Sequence, residues 1–422
     1  MAAADVKRTI EAVWRIESTR LIAGLARLVR DVGLAEDIAQ EALVAALEQW
    51  PQAGVPDNPG AWLMATAKHR AIDRLRRADV HRRKTEELGR ELELWGEADV
   101  PDLAAEAADP FDDDVLRLIV TACHPVLSVE ARVALTLRLL AGLTTKEIAR
   151  AYLVAEATVQ QRIVRAKRTL AAAHVPIEVP ERGELPERLA SVLEAIYLIF
   201  NEGYAATAGD EWLRPELLQE ALRLGRMLAA LLPAEPEVHG LSALMELQAS
   251  RARARVGPDG EPILLLDQDR SRWDWMLVGR GLAALKRAYA TGGAFGTYTL
   301  QAAIAACHAR ARTAQDTDWV KIVALYDGLA QVAPSPVVEL NRAVAVGMAF
   351  GPAQALRLVD ELADEPALSG YHLLPTVRGD LLEKLGRLAD ARAEFERALT
   401  LAQNAREHSV LLRRIARCCA RG

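Results

Sequence analysis

Residues 59–84 read PGAWLMATAKHRAIDRLRRADVHRRK. The pattern predicts one amphipathic helix with a basic end. Ala61, Ala65, Ile72 and Leu75, with Met64 and Ala71, fall on one side at helical spacing. Trp62, Thr66, Arg70, Asp73, Arg74 and Arg77 fall on the other. From Thr66 to Lys84 there are eight Lys or Arg against two Asp, a net of +6. A basic face headed by an aromatic ring suits a nucleic-acid strand, because cations hold phosphates and the ring offers a base a stacking surface. Taken alone, such a run is more often a solvated helix face. What surrounds it decides between the two.

The chain has 422 residues, half of them apolar, which implies about two to four domains with real cores. No apolar run approaches the roughly 18–20 residues needed to cross a bilayer. MAAADVKRTIEAVWRIE has no apolar stretch after its charges, so no signal peptide is expected. Cys123, Cys307, Cys418 and Cys419 form no CxxC and no framework, which fits a reduced cytoplasm, with Cys418 and Cys419 as ordinary thiols near a helical end. The net charge of −6 hides strong segregation. Residues 1–84 carry 14 Lys or Arg and 11 Asp or Glu; residues 85–114 carry 1 and 12; residues 115–174 carry 9 and 3. Two basic modules are separated by an acidic spacer, and local charge favours nucleic acid where whole-chain charge does not.

Before the basic stretch, residues 6–50 are helical throughout, and a helix opening near Asp31 runs to about Trp50. Asp37, Glu41 and Glu48 share one of its faces, either as solvation or as a dock for a basic protein surface. Residues 52–60, QAGVPDNPG, form a loop. The acidic residues 85–114 read as a tether. Beyond it, residues 133–141 form an apolar helix ended by Gly142. Thr144 and Glu147 make a capping box opening a short helix with Ile148 and Ala149 inward. After a turn at residues 153–155 a second helix runs from Glu156 to Leu170. Val159, Ile163, Ala166 and Leu170 face its core; Gln161, Arg165 and Arg168 point outward, with Arg162 and Lys167 on the flanks. Short helix, tight turn and basic helix make a helix-turn-helix, whose second helix enters the major groove. An ordinary helical hairpin is the competing reading, and the capping box, small Ala149 and basic outer face favour DNA.

Residues 174–187, HVPIEVPERGELPE, mark a Pro-rich boundary, and all that follows is again helical. Asn201, Glu202 and Tyr204 read as buried residues satisfying one another. Residues 257–262, GPDGEP, form a turn. The Asp, Arg and Trp of residues 264–282 read as helix caps and ion pairs, since no acid–base pair or metal spacing can be assigned. AFGPAQALRLVDEL (349–362) resembles KLGRLADARAEFERAL (384–399). Their glycines, Gly351 and Gly386, are about 35 residues apart, near the period of tetratricopeptide helix pairs. Residues 318–336 read as an earlier, degenerate member. Such pairs stack into a curved superhelix suited to a protein partner.

Three stretches in order resemble an RNA polymerase sigma factor of the extracytoplasmic-function type. AEDIAQEAL (35–43) is similar to region 2.2, PGAWLMATAKHRAIDRLRR (59–77) to regions 2.3 and 2.4, and ALTLRLLAGLTTKEIARAYLVAEATVQQRIVRAKRTL (134–170) to region 4. Residues 112–138 and the long tail resemble the subgroup with a tetratricopeptide-like C-terminal extension. The resemblance implies an all-α chain: region 2 in residues 1–85, an acidic linker in 86–113, a region 4 helix-turn-helix in 114–175, a helical extension in 185–315 and repeats in 316–422. It assigns Asp37, Gln40 and Glu41 to docking on core polymerase. Trp62, His69, Arg70, Asp73, Arg74 and Arg77 go to the minus-ten strand, with loop 51–60 as the pocket for an extruded base. Thr158, Gln161, Arg162, Arg165 and Arg168 go to the minus-thirty-five major groove. His69 stands where the family often has Asn, and Leu153 where the turn often has Gly. The partners implied are the polymerase core, through its clamp helices and flap, promoter DNA, and a protein or peptide for the repeats. No catalytic residue, metal, cofactor or membrane is implied. Opening a promoter unstacks bases, at about a few kcal/mol per step, and capture of the strand on a basic aromatic surface offsets this by about 1–3 kcal/mol per stacked base.

A one-component regulator with a C-terminal sensor also explains the helix-turn-helix and the helical tail. It leaves residues 35–77 without a role. An enzyme in the C-terminal half is suggested only by the polar clusters at 201–204 and 267–274, and no nucleophile is paired with a base there.

Overall fold

The structure, a computed structural model, describes residues 3–89, 110–152, 154–178, 185–205, 213–257, 262–402 and 405–421. Three expectations therefore lie wholly or largely outside the described residues: the acidic tether, the turn residue Leu153 and the turn at 257–262. So does the stretch 179–184 of the Pro-rich boundary. The described residues are helical, and their only β pairing is an isolated bridge between Val256 and Pro262. None of these helices is long and apolar enough to cross a membrane. The chain divides into two compact units, Met1–Ala195 and Ile196–Gly422.

The first unit begins with α1 (Ala3–Val29), α2 (Val32–Ala53) and α3 (Pro59–Gly89), which pack mutually. Asp31 caps α2 by accepting from the Leu34 amide, and Gly54, at φ +90°, releases the chain into the loop before α3. Leu21, Leu25, Ile38, Trp50 and Leu63 are fully buried between the three. The buried stripe of α3 is Leu63, Ala67 and Ala71, whereas Ala61, Ala65 and Ile72, expected inward, are exposed. Leu63 is the large side chain of this stretch that is fully buried, and its i+4 and i+8 neighbours are alanines that permit close approach. The helix therefore rolls toward Leu63 and not toward Ile72. Half-buried Trp62 meets the Trp50 ring edge-on, centroids 5.4 Å apart.

Next come α4 (Pro110–Ala122), α5 (Val129–Leu139), α6 (Thr145–Tyr152) and α7 (Glu156–Ala172). The apolar helix expected from Val133 starts earlier, because Ser128 caps it by accepting from the Ala131 amide. Gly142, at φ +67°, turns the chain after it, a conformation that costs a residue with a Cβ about 1–2 kcal/mol. The capping box forms in both directions: the Thr144 amide donates to Glu147 Oε2 at 2.8 Å, and the Glu147 amide to Thr144 Oγ1 at 3.1 Å. Val159, Ile163, Ala166 and Leu170 are buried as α7 packs on α5 and α6, while α4 packs on α1.

Helix α8 (Leu185–Tyr204) runs across the division. The second unit then holds α9 (Pro215–Leu231), α10 (Pro236–Ala249), α11 (Trp275–Ala290) and α12 (Thr297–Arg310). Helix α10 packs against the other three, which is why its polar His239, Ser242 and Glu246 are buried. A Cβ at Gly203 would stand 2.4 Å from the Leu218 backbone nitrogen, so glycine permits the approach of α8 to α9. Glu202 pairs with Arg214 at 3.1 Å and Tyr204 stacks on Phe200 under the Arg255 guanidinium; these residues are satisfied by neighbours more than by one another. In residues 264–282 the caps form, with Asp269 accepting from Ser271 and Asp274 from Met276 and Leu277. Arg270 donates to the Ala311 and His308 carbonyls and lies over Trp273, where an ion pair was expected.

The tail continues as α13 (Trp319–Val332), α14 (Pro336–Phe350), α15 (Pro352–Glu361), α16 (Leu373–Lys384), α17 (Leu388–Leu401) and α18 (Ala405–Arg421). Each packs on the next around Leu340, Leu356, Leu382, Phe395 and Leu411. Gly351 and Gly386, both at positive φ, sit at the equivalent bend of the pairs α14–α15 and α16–α17. All four cysteines are free thiols, with Cys419 exposed.

Candidate nucleic-acid and polymerase interface

Helix α2 carries a carboxylate on each of two faces. Asp37 is exposed, as expected of a docking residue. Glu36, one residue earlier among Ala35, Ala39 and Ala42, is buried at 3% exposure. Gln40 donates to Glu36 Oε1 at 2.7 Å. Arg138 Nε reaches the same oxygen at 2.6 Å, and Lys167 Nζ reaches Oε2 at 2.6 Å. Burial alone pushes the Glu36 carboxyl up, but the charges and hydrogen bonds of Lys167 and Arg138 outweigh it and hold the group below its ordinary value. Lys167 also lies 3.9 Å from Asp37.

This cluster lies on a seam between the first three helices and α4–α7, where α1 packs most extensively on α4. Thr19 Oγ1 on α1 donates to the Leu140 carbonyl at 3.0 Å. Arg27 reaches the buried Asp114 of α4 at 3.4 Å. Beside the α1–α4 packing, the seam thus holds directed polar and ionic contacts that each have a defined partner.

On α3 the basic residues divide. Arg70 pairs with Glu41 at 3.3 Å, and Arg74 hydrogen-bonds the other oxygen of the same carboxylate. The acidic stripe of α2 is thereby split, with Glu41 facing its own basic helix while Asp37 and Glu48 face outward. His69, Asp73 and Arg77 are exposed at spacings of four. Trp62 and this stripe share one side of the helix, with Arg70 and Arg74 along its edge. The side chains of Arg82, Arg83 and Lys84 lie outside the description.

On α7, Thr158, Gln161, Arg162 and Arg165 line one wall of a surface groove of about 420 Å³, and Ser128, Glu130 and Ala131 at the start of α5 line the other. Gln161 and Arg165 are exposed, and Arg168 is exposed one turn further along. The structure thus brings four of the five proposed groove-reading residues to one surface and adds the fifth on the same helix. Lys167, a flanking cation in the sequence reading, points to Glu36 instead.

Glu36, Arg138 and Trp50 are the residues that sequence reasoning missed. The signal for Glu36 was present: an acid at the helical phase of Ala35, Ala39 and Ala42 needs a cation when buried. No sequence rule names Arg138 and Lys167, which lie 102 and 131 residues away, as that cation.

Three family models match the chain: Sigma-70 region 2 over residues 16–80, Sigma-70 region 4 over 117–170, and a family of unknown function, DUF6596, over 188–289. An uncharacterized protein of Rhizobium meliloti is 45% identical over 388 residues, covering 91% of this chain and 89% of that protein. The ECF RNA polymerase sigma factor SigK of Mycobacterium bovis is 32% identical over 152 residues, 34% of this chain and 74% of SigK. The probable ECF RNA polymerase sigma factor SigI of Mycobacterium tuberculosis is 26% identical over 174 residues, 40% of this chain and 57% of SigI. No solved structure matches.

Proposed function

The chain belongs to the extracytoplasmic-function RNA polymerase sigma factors, and from that membership we propose that it docks on core polymerase through α2, captures the minus-ten strand on α3 and reads the minus-thirty-five duplex with α7. Asp37, Gln40 and Glu41 carry the docking face, Gln40 once released from Glu36 and Glu41 once released from Arg70 and Arg74. Trp62, His69, Asp73 and Arg77 form the strand-binding stripe, and Arg70 and Arg74 join it by exchanging Glu41 for phosphate. Thr158, Gln161, Arg162, Arg165 and Arg168 meet the major groove. The phosphodiester chemistry belongs to the polymerase, so the chain acts in the cytoplasm as a specificity factor and not as an enzyme.

The observation that supports this most is the division of cations on α7. Lys167 is neutralised internally, while Arg165 and Arg168 remain on an open surface beside the groove. The same contact implies a closed form. Promoter elements about 25 base pairs apart are separated by roughly 85 Å of duplex. Helix α7 spans only about 25 Å and touches α2 through Glu36 and Lys167. Both modules therefore reach their elements only after the seam opens, and core docking on the outer face of α2 competes with the seam for the same helix.

Residues 1–85 serve as region 2, 86–113 as linker, 114–175 as region 4, and 185–422 as a cis-acting regulator whose repeats, 316–422, take a protein or peptide partner. Tethering at about millimolar effective concentration lets even a weak contact shift the open–closed balance. Transcription with purified core polymerase and promoter DNA tests the main reading: the chain yields a promoter-dependent transcript. Absence of both core binding and transcript returns the reading to a one-component regulator. Truncation after Ala173, compared at equal folded concentration, gives the sign of the tail's effect.

A further inference from the structure

The groove beside α7 holds one acid in a lining otherwise suited to DNA. Thr158, Gln161, Arg162 and Arg165 form the α7 wall, and Glu130 stands on the α5 wall opposite, with Ser128 and Ala131. Helices α5 and α7 pack directly on each other, so the two walls face across a set distance. Glu130 is exposed, and its carboxylate is open to whatever enters. Ser128 already caps α5 by accepting from the Ala131 amide, so the start of the helix has its cap without Glu130.

Hydrogen bonds from its own backbone amide and from the Ser128 hydroxyl hold the Glu130 carboxyl below its ordinary value of 4.5, and the nearby charges of Arg162 and Arg132 add to this. Glu130 is therefore an anion at neutral pH, standing in the path of a polyanion. A groove of about 420 Å³ is narrower than the Debye length, which is about 10 Å at 0.1 M salt. Any phosphate that lies in it feels Glu130 as well as Arg162 and Arg165.

Sequence-independent binding rests almost entirely on phosphates held by cations. With no matching base edge, Arg162 and Arg165 have only phosphates to hold, and they draw a strand into the groove against Glu130. With matching bases, Gln161 and Arg165 are committed to base edges, and fewer phosphates lie against the acid. We propose, on the reading of α7 as the minus-thirty-five helix, that Glu130 is a specificity-determining residue. Its carboxylate weakens sequence-independent binding more than it weakens binding to the cognate duplex. Arg165 and Gln161 favour the right duplex, and Glu130 works against the wrong one.

Fluorescence anisotropy of the full chain tests this with two labelled duplexes, one selected by the holoenzyme from a random pool and one of unrelated sequence. Glu130→Gln should tighten binding to the unrelated duplex about three- to ten-fold at about 50 mM salt, and the gain should shrink as salt rises. The selected duplex should gain less than about two-fold, so the preference between the two narrows. Glu187→Gln removes the same charge from an exposed site at the start of α8, outside the groove, and should change neither affinity. Equal gains on both duplexes, no gain on the unrelated one, or the same gains from Glu187→Gln would each overturn the proposal. Arg165→Ala separates this from the reading beneath it. If that variant keeps full affinity for the selected duplex, α7 is not the reading helix and the role of Glu130 falls with it. If Arg165→Ala weakens binding while Glu130→Gln changes nothing, the role of Glu130 alone is lost.

Discussion

Arg165 and Lys167 lie two residues apart on α7 and have opposite surroundings. Lys167 ends 2.6 Å from a buried carboxylate, whereas Arg165 is exposed beside an open groove. The same division recurs on α3, where Arg70 and Arg74 meet Glu41 while Arg77 stands outside. A basic helix is thus two surfaces, one that closes the fold and one left for a polyanion. Helical phase relative to the neighbouring acid, more than net charge, separates them.

Removing the internal partner is the strongest way to break this contrast. Glu36→Ala strands Arg138 and Lys167 at the seam, and loss of one member of a buried ion cluster costs about 3–5 kcal/mol. Denaturant unfolding of the full chain should report a loss of that order in the first unit. An effect under about 1 kcal/mol would reduce the seam to a surface contact. Acid tests the same cluster without substitution. The Glu36 carboxyl is held below its ordinary value of 4.5 in the folded chain. Its contribution is therefore complete above that value and fades as pH falls through the lower folded-state value. The seam should loosen only in that acidic window, as hydrogen exchange at α2 and α7 would register.

The outer face should respond in the opposite manner. Arg165→Ala should weaken binding to minus-thirty-five duplex by about 1–3 kcal/mol if the guanidinium contacts a base edge, while stability moves by no more than about 0.5 kcal/mol. A stability loss comparable to that of Glu36→Ala would erase the distinction. The smallest stability effect is expected at Asp37. Asp37→Lys should lower core-polymerase affinity in a pull-down and leave unfolding nearly unchanged, because the side chain is exposed. Glu41→Lys is a poorer probe, since it sets a cation against both Arg70 and Arg74.

Much of this was legible in the sequence because it is local. The Thr144–Glu147 box, the buried stripe of α7 and the bend at Gly142 follow from spacings within about one or two helical turns, and the paired bends at Gly351 and Gly386 follow from a repeated pattern of helix, glycine and helix. The buried face of α3 was misassigned because alanines dominate it, so Ala61, Ala65, Ala67 and Ala71 give periodicity little contrast. Leu63 breaks the tie only when Trp50 and α1 are in place. The seam was not legible, because Glu36 finds Arg138 and Lys167 across more than a hundred residues, and no spacing rule reaches that far. On α7, Gln161, Arg165 and Arg168 point outward as expected, while Lys167, expected on the flank, turns to Glu36. Arg70, Arg74 and Glu41 read as independent outward groups although they neutralise one another.

The seam is tested most directly by a distance across it. Val44 on α2 and Val164 on α7 are both exposed. With Val44→Cys and Val164→Cys carrying spin labels, and exposed Cys419 replaced by Ser, a pulsed-resonance distance can be taken on the free chain and on the promoter-bound holoenzyme. The free chain should give one short distance, below about 40 Å, because both labels lie within a few turns of the Glu36–Lys167 contact at 1.5 Å per residue. Bound to core polymerase and promoter, the distance should lengthen to about 60 Å or more. A short distance that persists in the transcribing complex, or a long one already present in the free chain, would contradict the closed seam as the state that polymerase must open.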